Sequence, residues 1–256
     1  MSRFAFTSLL GIAAFFAIGL WLSGWTRMLA FTVLWLVYLT LFGFGIAFIQ
    51  MRFFCRAACR GNAGRMQVAL TFDDGPDPAA TSALLDLLRA ENISAAFFCI
   101  GQRVSAHPQI AARITAEGHL IGNHTYNHFW WTAMMFRPGL TREISLTQEA
   151  IRKATGSAPL HMRPPVGMTN PHYPAVLRRM GLEMIGWDVR SMDTRWDARE
   201  VIGHVLTQAR DGSIILLHDG NTAPEPLLEI VRAVIDGLRK RGFSFERADR
   251  LIYPEA

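Results

Sequence analysis

Acidic residues are missing from the first 65 positions, where the only charged side chains are Arg3, Arg27, Arg52, Arg56, Arg60 and Arg65. Charged residues make up 18% of the whole chain, against roughly a quarter in an ordinary soluble domain. That deficit points to a membrane segment. The net charge of +5 belongs to the arm, because residues 66–256 hold 20 basic and 21 acidic side chains. A nucleic-acid-binding domain carries its basic excess on the folded body, so that class is excluded and no nucleic-acid partner is expected. Cysteine is scarce too. Three of them exclude a disulfide framework. Cys99 lies in an apolar run and reads as a buried thiol. Cys55 and Cys59 flank the arm with no clustered His or Cys, which argues against a metal site there. Low-complexity stretches and internal repeats are absent.

Long apolar runs, in contrast, are present. Residues 4–22 and 28–49 are each long enough to cross a hydrocarbon core as a helix, which takes roughly 20 residues. Ser23-Gly24-Trp25-Thr26-Arg27 breaks them with one charge and an interfacial tryptophan. A secretory signal peptide fits poorly, since a second apolar span stands where a small-residue cleavage site belongs. The expectation is a transmembrane hairpin within a membrane arm at 1–65; a single span with the other stretch at the interface, or a re-entrant hairpin, are the alternatives. Two spans leave the N-terminus and the globular part on one side, with five arginines against Arg27 in the connecting loop. Positive-inside bias places that side in the cytoplasm. The expected location is a bacterial inner membrane, multi-pass, with membrane lipids as partners.

Gly61-Asn62-Ala63-Gly64 reads as a hinge. Beyond it, strand patterns at 67–72, 95–100, 120–122, 183–187, 213–217 and 243–245 alternate with helical patterns at 79–91, 108–117, 140–155, 173–180, 198–209 and 226–241. Strand, helix, strand at this spacing implies an α/β domain over 66–256 with parallel pairing. About seven units suggest a barrel smaller than the eight-fold one.

The chemically unusual residues fall just after strands, where parallel α/β proteins place their sites. In Thr71-Phe72-Asp73-Asp74-Gly75-Pro76, one carboxylate can bind a metal while its neighbour stays free as a base. In His124-Thr125-Tyr126-Asn127-His128, two histidines at i, i+4 share a helix face and can ligate one ion. Asp74 supplies a third ligand, and two His plus one carboxylate leave a position open, as catalytic zinc requires. Arg163-Pro164-Pro165-Val166-Gly167 begins with a fixed charge on a rigid backbone. In Leu216-Leu217-His218-Asp219-Gly220 a histidine leaves an apolar strand, and Asp193 is placed to orient and charge it.

Together these segments resemble the polysaccharide deacetylase family (NodB-homology domains, carbohydrate esterase family four), in the family's order and over roughly 66–245. The resemblance implies a distorted (β/α)7 barrel, preceded here by the hairpin, and metal-dependent removal of acetyl groups from sugars. It implies that Asp74, His124 and His128 hold one divalent metal, zinc foremost with cobalt, manganese or nickel as alternatives. Asp73 would be the general base and Arg163 its holder, His218 the general acid and Asp193 its orienting partner. The backbone N–H of Val166 would steady the oxyanion, and Leu217 would line the acetyl pocket. Trp187 and Arg190 complete the expected substrate contacts.

Two positions depart from the family pattern. Val166 stands where tyrosine is usual, and Arg190 and Thr194 replace the first Asp and the Trp of the fourth motif. A new cation beside the site points to an anionic substrate. The expected substrate is therefore a polyprenyl-phosphate-linked or lipid-A-type N-acetylhexosamine, met at the cytoplasmic face, as in membrane-anchored deacetylases of lipid-linked amino sugars. A periplasm-facing deacetylase of peptidoglycan or exopolysaccharide is the alternative. A non-catalytic glycan-binding scaffold is a third, disfavoured because every chemical residue is present. Finally, Phe129-Trp130-Trp131-Thr132-Ala133-Met134-Met135-Phe136 is either core under the barrel rim or a segment at the membrane interface.

Overall fold

The computed structural model describes residues 2–254. It opens with two apolar helices, α1 (Arg3–Trp21) and α2 (Gly24–Ala47). At 1.5 Å per residue they are about 28 and about 36 Å long, and both are long and apolar enough to cross a membrane. Their side chains meet in the pairs Phe4–Phe42, Ser8–Tyr38 and Phe15–Phe31, so they run antiparallel. The turn is shorter than the sequence suggests, because Trp25 and Arg27 already belong to α2. Both helices return to the same end, where Arg3 donates to the Met51 carbonyl and the Phe4 N–H to that of Phe53.

The segment between the hairpin and residue 66 is not the free hinge expected of it. Phe53, Phe54, Cys55, Ala57 and Cys59 are buried. The Ala58 N–H donates to the Met184 carbonyl at 2.9 Å, and Gly186 and Gly61 extend the ladder to Ala58 and Gly212. The linker is thus a piece of wall rather than a tether. Its backbone groups find partners on exposed strand edges, which is where buried peptide groups must find them.

Those edges exist because the sheet does not close. Its eight parallel strands are β1 (Gln67–Asp73), β2 (Ala96–Cys99), β3 (Leu120–Asn123), β4 (His161–Met162), β5 (Glu183–Met184), β6 (Val189–Arg190), β7 (Ile214–His218) and β8 (Ser244–Phe245). The order is β5-β4-β3-β2-β1-β7-β6, with β8 on the start of β1. The result is a curled half-barrel whose seam is crossed by the linker at Ala58–Ile185 and Arg60–Ser213. The single strand expected at 183–187 is β5 alone; β6 begins after a break at 185–188.

β1 is central and, apart from Gln67, buried along its length, which is why it reads as an apolar run rather than an alternation. Val68, Leu70 and Phe72 pack outward against the helices, among them α3 (Ala80–Ala90) and α9 (Pro224–Lys240). Ala69 packs inward, and the period of two puts Thr71 and Asp73 on that face. Helix α5 (Pro108–Ala116) follows the short α4 (Gly101–Ala106), which the sequence pattern did not suggest. Helices α6 (Arg137–Thr155), α7 (Tyr173–Met180) and α8 (Ala198–Gln208) match expectation, and α10 (Ala248–Ile252) was not anticipated.

Candidate active site

Asp73 and His218 are register partners at the carboxyl ends of β1 and β7. Arg163, just after β4, reaches beneath them. Its guanidinium is fully buried and donates to Asp73 Oδ1 at 2.7 Å, to Thr71 Oγ1 at 2.8 Å, and to the carbonyls of Ile185 and Gly186. It lies 4.1 Å from the centroid of Phe98 and 5.4 Å from that of Trp187. A charge taken this far from water persists only when paired and hydrogen-bonded. Here both the carboxylate and the carbonyls supply that, and Asp73 is held in one orientation.

Asp74 follows with φ of 74°, which turns its carboxylate away from that of Asp73. The turn is tight: a Cβ on Gly220 would lie 2.4 Å from the Asp74 carbonyl oxygen, so glycine is required there. Asp74 Oδ1 lies 3.3 Å from His124 Nε2 and 3.1 Å from His128 Nε2. The two histidines do not sit on a helix face, contrary to expectation. They flank an irregular loop after β3, with positive φ at Thr125 and His128. The loop is held by the buried Glu143 of α6, which accepts from the Tyr126 and Asn127 N–H groups and from the Asn127 amide. Asn123 adds a bond from the Thr125 N–H. The carboxylate offered from α6 gives these N–H groups acceptors without a helix, and the loop brings both rings to one point.

The donor set fits a divalent cation. His124 Nδ1 donates to the Arg163 carbonyl at 2.8 Å, which turns Nε2 toward Asp74, the outer-shell bond that metal-binding histidines ordinarily make. Asp74 Oδ1 is buried with no hydrogen-bond partner. Burial opposes charge on Asp74, but the adjacent His124 and His128 hold its carboxyl well below the usual carboxylate range. Burial and His124 together push His128 down to about 4. One carboxylate oxygen and two ring nitrogens within 4.8 Å of one another can hold one such ion.

On the opposite side, Asp193 accepts from His218 Nδ1 and from the His218 N–H, both at 2.8 Å, and from Ser191 Oγ. Burial disfavours a charged His218, yet the Asp193 bond, with Asp73 and Asp74 beyond it, pushes it up to about 9. Nδ1 is thus occupied by Asp193, and a protonated His218 donates from Nε2.

Four other expected residues are less alike. Val166 is exposed, in a left-handed conformation with φ of 49°. Arg190 is exposed at the end of β6, and its side chain, among the described residues, forms no ion pair or hydrogen bond. Trp187 is buried beneath the site, against Gly167 and Arg163, rather than open to a sugar. Leu217 requires a correction. It packs in the layer between sheet and helices, and the period of two puts Leu216 on the face shared with Asp73 and His218.

Sequence reasoning missed Glu143, Thr71 and Asp219. Glu143 had a signal, a charge on the inward stripe of α6 beside Leu140, Ile144 and Thr147. Asp219 is fully buried behind Asp74, bonded to Thr81 Oγ1, and burial with the neighbouring carboxylates pushes it up to about 7.

A family model described as polysaccharide deacetylase matches residues 60–185. The chain is similar to a peptidoglycan-N-acetylglucosamine deacetylase of Bacillus cereus, 32% identical over 72% of this chain and 87% of the relative. It is 33% identical to a chitooligosaccharide deacetylase of Bradyrhizobium sp. over 74% of this chain and 92% of the relative. A solved peptidoglycan N-acetylglucosamine deacetylase superposes with a TM-score of 0.72 at 30% identity, covering 78% of this chain and 94% of that one.

Proposed function

The chain belongs to the polysaccharide deacetylase family and is a carbohydrate N-deacetylase, and on that premise we propose that it removes the acetyl group from an N-acetylhexosamine presented at a membrane surface. The observation that carries this is the meeting of Asp73, the Asp74–His124–His128 donors and the His218–Asp193 pair at one end of the sheet. A divalent ion, zinc foremost, would supply Lewis acidity toward the acetyl carbonyl and toward water.

The protein's own groups do the rest. Asp73, fixed by Arg163, accepts the proton of the attacking water. The Val166 N–H, turned out by its left-handed backbone, donates to the developing oxyanion. His218 carries its proton on Nε2 toward the departing amine, while Asp193 holds Nδ1 and so fixes which nitrogen gives it up. Leu216 takes the acetyl-lining role first expected of Leu217.

The finer substrate is a sugar joined to a polyprenyl phosphate, met at the cytoplasmic face. Two features support it: the hairpin packed against the site's end of the barrel, and the unpaired Arg190, two register positions from His218, since guanidinium suits a phosphate. Arg56 adds attraction to an anionic leaflet, about 1 kcal/mol. Arg60 and Arg52 do not, being bonded to the Asp211 carbonyl and to Cys59 in the seam. A periplasm-facing enzyme acting on peptidoglycan is the second reading, favoured by the substrate for which the Bacillus cereus relative is named.

Acetate release by the full chain in detergent tests this, on chitooligosaccharide and on polyprenyl-phosphate-linked N-acetylhexosamine, before and after chelation. Release that stops with chelator and returns with zinc is expected. Undiminished release after chelation, or none on either substrate, would overturn the proposal. An alkaline phosphatase fusion active at the C-terminus would place the domain in the periplasm and select the second reading.

A further inference from the structure

The eight-residue aromatic run after the histidines is neither wholly core nor wholly surface. Thr132 and Ala133 are buried, whereas Trp130, Met134 and Phe136 are 65%, 72% and 75% exposed, and Trp131 is 40% exposed. Arg137 follows, exposed and, among the described residues, unpaired. No acidic residue occurs between His124 and Arg142. Four large apolar side chains in water beside a site call for an explanation.

Their place is fixed by two consecutive residues. The Thr169 N–H donates to the Ile46 carbonyl at 3.0 Å and its hydroxyl to that of Gly45, both in the last turn of α2. The Asn170 amide donates to the carbonyls of Ala133 and Met135. One peptide bond therefore separates the clasp on the hairpin from the clasp on the aromatic run. Two further contacts make the joint stiff: Gln50 donates to the Trp187 carbonyl, and Ile49 packs on Gly186. The apolar rim is thus held level with the end of α2, on the same side of the domain as the active-site loops.

We propose that this rim, Trp130, Trp131, Met134 and Phe136, seats in the interfacial layer of the leaflet that α2 leaves, so that the active site opens at the lipid headgroups. The inference rests on reading the hairpin as membrane-spanning. Tryptophan favours that layer, the absence of acids suits an anionic surface, and Arg137 lies where a lipid phosphate would meet it. Continuity with the apolar hairpin selects lipid over a second copy of the chain or a glycan stacked on the indoles.

Nitroxide labels on the full chain, one copy per nanodisc of phosphatidylethanolamine and phosphatidylglycerol, test it. The sites are Leu9→Cys in the hairpin, Met134→Cys in the rim, and Lys153→Cys about 24 Å along α6 from Arg137; the native cysteines are buried. Labels at 9 and 134 are expected to favour oxygen over a nickel chelate severalfold, and the label at 153 to show the reverse. A lipid-like 9 with 134 as nickel-accessible as 153 overturns the rim and leaves the hairpin. A nickel-accessible 9 overturns both. Protection of 134 from both reagents, or dipolar broadening between copies, assigns the rim to a protein contact and overturns the lipid proposal.

Discussion

Two histidines, His119 buried and His218 partly buried, lie at opposite ends of the same sheet and are driven in opposite directions. At the carboxyl edge, His218 is pushed up to about 9 because Asp193, Asp73 and Asp74 outweigh the cost of burial. At the amino edge, His119 is pushed down to about 4, because burial is opposed by Glu117 alone and reinforced by Arg113 and Arg247. Its Nδ1 accepts the Ala95 N–H at 3.0 Å. Burial therefore does not distinguish a working histidine from a structural one. For these two rings the balance of neighbouring charge decides: three carboxylates act on His218, whereas one carboxylate is set against two arginines at His119.

Removing charge at the carboxyl edge should have the largest effects. Asp73→Asn keeps the shape of the side chain but cannot accept a proton, so deacetylation should fall about 10²–10⁴-fold with metal content unchanged. His218→Ala should fall similarly. Near-full turnover in either would remove the role assigned to it. His128→Ala should lose metal as well as activity, and undiminished metal by elemental analysis would contradict the three-donor site.

Arg163 and Arg113 sharpen the comparison through stability. Arg163 is fully buried, and Arg163→Met leaves Asp73 charged and uncompensated, a loss of about 3–5 kcal/mol. Arg113, nearer the amino edge, pairs with Glu117 and Asp86 but stays partly in water. Arg113→Met should cost less than about 1 kcal/mol. Thermal melts of the two variants should differ by roughly 5–15 °C at 2–4 °C per kcal/mol. Equal melting points would mean that the buried pair contributes no more than the exposed one.

The same contrast explains what the sequence made legible. Asp73, Asp74, His124, His128 and His218 stand at strand ends in fixed order, so their convergence was readable without coordinates. The helix assumed for His124 and His128 was not there, because Glu143 satisfies the loop from a helix 15 residues downstream of His128. The misplacement of Leu217 was a period-of-two error: in a strand buried on both faces, hydrophobicity does not tell inside from outside. The seam-crossing role of residues 55–61 was hidden, since a short glycine-bearing linker looks alike whether it is free or paired to an open sheet edge. The rim was half-readable: its composition was plain, but only Thr169 and Asn170, one clasping α2 and the other the aromatic run, fix where it lies.

The smallest effect expected is at the amino edge and is a matter of sign. His119 has a folded pKa below its unfolded value of 6.5. Between about 4 and 6.5 the unfolded chain binds the proton that the folded chain refuses, so stability rises with pH through that window. The contribution is complete above 6.5 and drains away as pH falls toward 4. At pH 5 it should be reduced by about 2 kcal/mol, since one pKa unit corresponds to about 1.4 kcal/mol. That is about 4–8 °C in the melting point. Asparagine places its carbonyl oxygen close to the position of Nδ1, so His119→Asn keeps an acceptor for the Ala95 N–H and removes the titration. The variant should match the parent near pH 7.5 and outlast it at pH 5. If both proteins lose stability equally between those values, His119 is not held neutral by burial, and the opposition between the two ends of the sheet would rest on His218 alone.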